Sequence, residues 1–205
     1  MYFNAQELPT QKLYSLLVSG VVPRPIAWVS TLDSDGIANL APYSFFTVAS
    51  VQPPILSITH INANDKPIKD TLANLQSTQS CVVNIVSAHL AEKMNATSAQ
   101  YPLGVSEFEQ VGIESIVSQS VDALAVKDAK MQFECRLREV INLSNQPGGG
   151  VIILLDVLGI NVADEVLNNG AIDAELLDAV GKMSGNDYSH TRQRFSLARP
   201  SIDSK

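Results

Sequence analysis

Ile26-Ala27-Trp28-Val29-Ser30-Thr31-Leu32-Asp33-Ser34-Asp35-Gly36 is the stretch that decides how this chain folds. Its first half, rich in branched and aromatic side chains, reads as a strand, and the Asp-Gly chemistry after it reads as a tight hairpin. The chain therefore turns back at once. Working outward, Phe45 to Ala49, Ile55 to Thr59, Val82 to Val86 and Val151 to Val162 have the same strand character. Their spacing favours an all-β core, and Gln146-Pro147-Gly148-Gly149-Gly150 marks a loop between strands.

The clearest two-residue period is Met131-Gln132-Phe133-Glu134-Cys135-Arg136-Leu137-Arg138, which predicts a strand with one wet face. Helical signals are fewer. After Asn64-Asp65, Pro67 suits a first turn, and Ile68, Leu72 and Leu75 then recur at i, i+4 and i+7. Ala88 to Ala96 places Leu90 and Met94 four apart in a second short helix. Many strands with few helices predict a barrel whose ends are plugged by helices.

A chain of 205 residues buries one sizeable core without disulfides or metals, so a single domain over 1–205 is expected. The formal charge of -7 and the lack of any Lys/Arg run with interleaved aromatics argue against a nucleic-acid partner. No charged side chain stands between Asp35 and Asp65, but Pro42, Pro53, Pro54, Asn39, Ser44 and Gln52 interrupt that stretch too often for a bilayer helix. No membrane association is expected. Met1 to Leu8 has no basic region followed by an apolar one, which makes the cytoplasm the expected location. Cys81 and Cys135 fit neither a CxxC motif nor a zinc spacing and are expected as reduced core thiols. His60, His89 and His190 have no HxH or HExxH spacing, so no metal site is expected. Neither a GxSxG elbow nor a GxGxxG dinucleotide fingerprint occurs.

Pro23-Arg24-Pro25-Ile26-Ala27-Trp28-Val29-Ser30-Thr31 is followed, after the hairpin, by Asn39-Leu40-Ala41-Pro42-Tyr43-Ser44-Phe45-Phe46. Pro53-Pro54, Lys69-Asp70-Thr71 with Asn74, Val83-Asn84, Tyr101 to Glu109 and Gly185-Asn186-Asp187-Tyr188 come next in order. This series resembles the flavin reductase-like domain family over roughly Val21 to Tyr188. The resemblance implies a mainly β (α+β) fold, an FMN-binding split β-barrel with Greek-key topology and a few peripheral helices. It also implies FMN as cofactor, NADH or NADPH as a transient reductant, and a homodimer with FMN at or near the subunit interface. A monooxygenase or another electron-acceptor protein is the implied partner. The expected activity is that of an NAD(P)H:flavin reductase or a flavoredoxin-like electron-transfer flavoprotein, with a non-catalytic flavin carrier or sensor module as the alternative. Two departures stand out: Lys182-Met183-Ser184-Gly185 replaces an Arg-Leu-Gly-Gly-like run, and Thr47 stands where the family often has Asn.

FMN carries a dianionic phosphate, a polar ribityl chain, and a ring with one edge that wants hydrogen bonds and another that wants apolar cover. Lys69 and Thr71, both expected near the surface, offer a cation and a hydroxyl beside Asp70 at a helix start, where backbone N–H groups favour phosphate. The bland reading of Asp70 and Thr71 is a solvated first turn. Ser30 and Thr31 end a strand that the family uses for flavin contacts; otherwise they are a strand terminus. Asn39, Ala41, Tyr43 and Ser44 form a segment in which Pro42 removes a ladder donor and lets the backbone leave the sheet, although a plain edge strand reads the same way. Arg24, held between prolines, offers its guanidinium to flavin or to a partner subunit, or faces solvent as a turn residue. Ser57 resembles a family position near the phosphate, or is a satisfied strand hydroxyl. Trp28 is expected in the core. No residue is assigned as catalytic, since hydride transfer between nicotinamide and flavin needs positioning rather than a protein nucleophile.

Overall fold

The computed structural model describes residues 1–62, 70–102 and 104–200. The chain opens with α1 (Thr10–Gly20) and β1 (Arg24–Pro25), then forms the predicted strand as β2 (Ala27–Leu32). α1 buries only Val18 and leaves Tyr14 and Leu17 exposed. The hairpin after β2 is held by the Asp33 carboxylate, which accepts N–H bonds from Asp35 and Ile37 at 2.9 and 2.8 Å. Gly36 completes the turn at φ +82, a conformation that costs glycine little. The chain returns as β3 (Ala38–Tyr43), with Thr31 opposite Asn39 and Ala27 opposite Tyr43.

β4 (Phe46–Val51) and β5 (Pro54–Ile61) form a second hairpin, followed by α2 (Asp70–Thr78) and β6 (Ser80–Ile85). A short turn of helix at Ala88–Leu90 runs into α3 (Ala91–Ala96), with Leu90 and Met94 buried as their spacing predicts. α4 (Glu107–Val111), β7 (Ser115–Val117) and β8 (Leu124–Val126) precede the two long strands β9 (Met131–Asn142) and β10 (Gly150–Val162). The Pro-Gly loop lies between those two strands, as expected. Small elements close the chain: β11 (Leu167–Asn168), β12 (Ala171–Ile172), α5 (Ala174–Leu177), β13 (Val180–Lys182) and β14 (Tyr188–His190).

Seven strands form the main sheet in the order β3-β2-β6-β9-β10-β5-β4, antiparallel throughout. β6 returns beside β2 and β10 beside β5, the long returns of a Greek-key barrel. The two outer strands, β3 and β4, are joined directly through Ser44 and Phe45, so the sheet curls until its own edges meet, and the barrel is split there. Inside it pack Val29, Tyr43, Leu56, Ile58, Val83, Ile153 and Leu155, and α2 contributes Leu72 and Leu75. A helix therefore plugs the barrel, as predicted. Trp28 lies on the other face of β2 in a second cluster, fully buried, and its indole N–H donates to Thr97 at 2.9 Å.

The wet face predicted for β9 holds at Arg136 and Arg138, which are exposed, and is corrected in the first half of the strand. Gln132 and Glu134 are buried, because the β7–β8 hairpin and the turn at Ser118 to Ser120 cover them. Gln132 donates to the Val126 carbonyl at 2.7 Å, and Glu134 accepts from the Gln119 and Ser120 amides and from Asn161. Polar side chains at alternate positions thus anchor a covering hairpin instead of meeting water.

Candidate functional site

At the α2 end of the barrel, β2, β3 and α2 meet along a seam of buried polar side chains. Asn39 donates to the Thr71 hydroxyl at 3.0 Å, and Asn74 donates to the Thr31 hydroxyl at 3.1 Å. Thr78 closes the seam one turn later on the Leu32 carbonyl at 3.2 Å. Thr71, Asn74 and Thr78 recur at helical spacing, so one stripe of α2 faces β2 and β3 while Leu72 and Leu75 reach the core. The Tyr43 hydroxyl also shares a hydrogen bond with Thr71. Four of the predicted residues, Thr31, Asn39, Tyr43 and Thr71, are brought together here with Asp70 at the helix start. Thr71, expected near the surface, is only 1% exposed, because its hydroxyl is the junction of this network.

The seam has an acidic rim. Burial pushes the Tyr43 phenol up to about 12, with Asp70 and Glu107 adding to the shift and the Thr71 hydrogen bond opposing it. Glu107, the first residue of α4, is 6% exposed and accepts the Leu40 N–H of the edge strand β3 at 2.8 Å. Burial raises its carboxyl above the ordinary glutamate range, against the pull of the Leu40 amide and its own. Sequence reasoning missed Glu107: it stood within a motif, at Ser106-Glu107-Phe108-Glu109, with nothing to show that it reaches back to β3.

The remaining candidates lie elsewhere. Arg24 is buried rather than solvent-facing: it donates to the Val18 and Val21 carbonyls at the end of α1, to the Met183 carbonyl at 3.1 Å, and to the Ser44 hydroxyl at 3.3 Å. It is thus a clamp between α1, the β3–β4 connection and the loop after β13. The Ser30 hydroxyl points to the face opposite Thr31, onto the Val82 and Leu124 carbonyls. Ala41 shares the inner face of β3 with Asn39 and Tyr43 and packs on the core. Ser57 sits between Thr47 and Leu154 in the sheet, away from the seam. Pro42 does not release the backbone; β3 keeps its pairing with β2 there, and as an outer strand it loses little from a missing N–H. Lys69, together with Pro67 and Ile68, lies outside the described residues. In the departing Lys182–Gly185 run, Lys182 sits 4.0 Å over the Tyr188 ring and donates to the Gly185 carbonyl at 2.7 Å. Among the described residues no three His, Cys, Asp or Glu side chains are grouped to hold a metal, and no helix is long and apolar enough to cross a membrane.

The flavin reductase-like domain family matches residues 19–185, which take in the barrel, the seam and the Lys182 loop. The chain belongs to that family. An uncharacterized protein of Aquifex aeolicus is 39% identical over 92% of this chain and 94% of its own length. Component B of nitrilotriacetate monooxygenase from Bacillus cereus superposes with a TM-score of 0.90 at 28% identity, covering 96% of this chain and 98% of that one. The 2-nitrobenzoate 2-nitroreductase of Pseudomonas fluorescens gives 0.88 at 28% identity, over 98% and 97%. The flavoredoxin of Desulfovibrio vulgaris, at 17% identity and a TM-score of 0.74 over 87% of this chain and 92% of its own, shares the fold.

Proposed function

We propose that the chain binds FMN and acts as an NAD(P)H-dependent flavin oxidoreductase in the cytoplasm. The observation that carries this reading is the seam that ties Asn39 and Tyr43 to the first turn of α2 through Thr71, and Thr31 to the same helix through Asn74. It is a fixed polar floor beneath a helix start, and the first amides of a helix have no partner within it. In this reading the amides at Asp70 and Thr71, with Lys69, would hold the phosphate, and Asn39, Ala41, Tyr43 and Ser44 would line the remainder, while Ser57 lies apart from it. Arg24 serves that site by fixing Ser44 and the Met183 loop.

Bound FMN supplies a reversible acceptor for a hydride. The protein's part is to hold the ring, keep water from one face and admit a nicotinamide to the other, which positioning alone achieves. NADH or NADPH then visits as a substrate, in keeping with the missing dinucleotide fingerprint. The likeness to a monooxygenase component B supports an oxygenase or another electron acceptor as partner. A homodimer belongs to the same reading. The outer strand β4 is paired on one side only and exposes Val48 and Val51, while Leu158 and Ile160 of β10 are also exposed. Two-fold pairing is the commonest way to cover such a surface.

The test is to release and identify the flavin. Heat-denatured protein, or protein first incubated with FMN, FAD and riboflavin, is expected to yield FMN on chromatography, from particles that sediment as dimers. Recovery of FAD or riboflavin in preference to FMN would remove the phosphate assignment, and failure to retain any flavin would remove the function.

A further inference from the structure

In the three-stranded sheet β1-β13-β14, Arg24 stands directly opposite Lys182, and Lys182 directly opposite Tyr188, so the three side chains share one face. Like charges in such a cross-strand pair repel and cost stability. Among the described residues neither Arg24 nor Lys182 forms an ion pair. The guanidinium is 7% exposed and commits four of its five N–H groups to the carbonyls of Val18, Val21 and Met183 and to the Ser44 hydroxyl. The half-buried Lys182 amine has main-chain carbonyls for acceptors, Gly185 at 2.7 Å and Asp187 at 3.5 Å, and lies 4.0 Å over the Tyr188 ring. Burial and the Arg24 charge pull that amine below the ordinary lysine range, while the Asp187 charge opposes them. Two cations are thus held side by side in a chain whose formal charge is -7. An anion bound between them would relieve their repulsion.

We propose that Arg24 and Lys182 form the seat for the diphosphate of the nicotinamide dinucleotide, a ligand whose visit rests on the flavin oxidoreductase reading. The two cations divide the task. Arg24 is fixed by its acceptors and has no free fork with which to grip an oxyanion, so it contributes a positive charge from within the protein. Lys182 carries its amine on a flexible stem beside the exposed turn at Gly185 to Asp187, and that amine can swing from the Gly185 carbonyl to a phosphate oxygen. A single point-charge contact of this kind suits a substrate that comes and goes, whereas a retained cofactor needs several fixed donors. A diphosphate, with a negative charge on each phosphate, also matches a pair of cations. Docking is non-covalent throughout.

Two measurements on the whole chain test this. The first titrates inorganic pyrophosphate into wild type, Lys182→Met and Lys182→Arg by calorimetry in metal-free buffer, which needs neither flavin nor turnover. Wild type should bind it at one site and Lys182→Arg should keep that binding. Lys182→Met should lose about tenfold in affinity, the worth of one charge-assisted hydrogen bond. The second measures kcat/KM for reduction of the FMN-loaded protein by NADH or NADPH and by dihydronicotinamide riboside, which carries no phosphate. The preference for the dinucleotide over the riboside should fall about tenfold in Lys182→Met and return in Lys182→Arg. Because that ratio is taken within each protein, a general loss of structure cancels from it. Pyrophosphate binding that is absent from wild type or equal in all three proteins, or an unaltered preference, overturns the assignment. So does a Lys182→Met protein that binds FMN more weakly but riboflavin as wild type does, since the cations then serve the flavin's own phosphate. Failure of the wild type to retain any flavin would remove the oxidoreductase reading, and with it the dinucleotide, even where pyrophosphate binds.

Discussion

Replacing Glu134 by alanine should unfasten the hairpin that covers the outer face of β9. Its carboxylate is 1% exposed and holds the Gln119 amide at 3.0 Å, the Ser120 amide, and the Asn161 side chain at 2.7 Å. Truncation removes the acceptor of all three donors while leaving them in place. An unsatisfied buried donor costs about 1–3 kcal/mol, and the low end applies here because the Gln119–Ser120 turn can relax toward water. The sum is about 3 kcal/mol, which for a domain of this size lowers Tm by about 6–12 °C. The pH dependence follows from the carboxyl group. Burial alone would raise its pKa, but the Gln119 and Ser120 amides with the Asn161 and Ser120 side chains outweigh burial and hold it below the ordinary value. A group depressed in the folded state contributes stability above its unfolded pKa, about 4.3 for glutamate, and loses it as pH falls through the folded value. Thermal melts of wild type and Glu134→Ala from pH 7 to pH 3 should therefore show a gap that is full near neutrality and narrows below about pH 4. A variant that melts within a degree of wild type at pH 7, or a gap that widens in acid, would refute this account of the hairpin.

Three further outcomes are expected. Arg24→Lys should cost about 2–4 kcal/mol in urea unfolding, because one ammonium cannot serve the carbonyls of Val18, Val21 and Met183 and the Ser44 hydroxyl together. Cys81→Ser and Cys135→Ser should each lower Tm while leaving turnover of the folded protein unchanged, since the two thiols face each other in the buried β6–β9 register. Lys69→Ala should weaken FMN about tenfold, the worth of one charge-assisted hydrogen bond, and leave riboflavin binding alone; equal losses for both flavins would show that Lys69 does not meet the phosphate.

The strands were legible because period-two runs and Asp-Gly or Pro-Gly turns are local chemistry. Trp28, Leu90 and Met94 took their expected buried places for the same reason. What a single sequence could not show is which face is covered by something distant in the chain. Gln132 and Glu134 of β9 read as wet until the β7–β8 hairpin arrives, and Thr71 reads as a helix surface until Asn39 and Tyr43 close on its hydroxyl. Arg24 behaved in the same way, since all its acceptors but the Ser44 hydroxyl are main-chain carbonyls, and every residue type supplies those equally. Glu107 joined the site only because α4 lies against the free edge of β3. Motif order carried the family, and tertiary contact sorted the predicted residues into the seam, the Arg24 clamp and the isolated Ser30 and Ser57.

The central claim is that this protein holds FMN and accepts a hydride onto it from a nicotinamide. Anaerobic mixing of the FMN-loaded protein with NADH and, separately, NADPH tests it most directly. The account predicts rapid loss of the oxidised-flavin absorbance with at least one of the two, and its return when oxygen is admitted. A yellow protein that dithionite bleaches but that neither nicotinamide reduces would contradict it, and would leave a flavin carrier in its place.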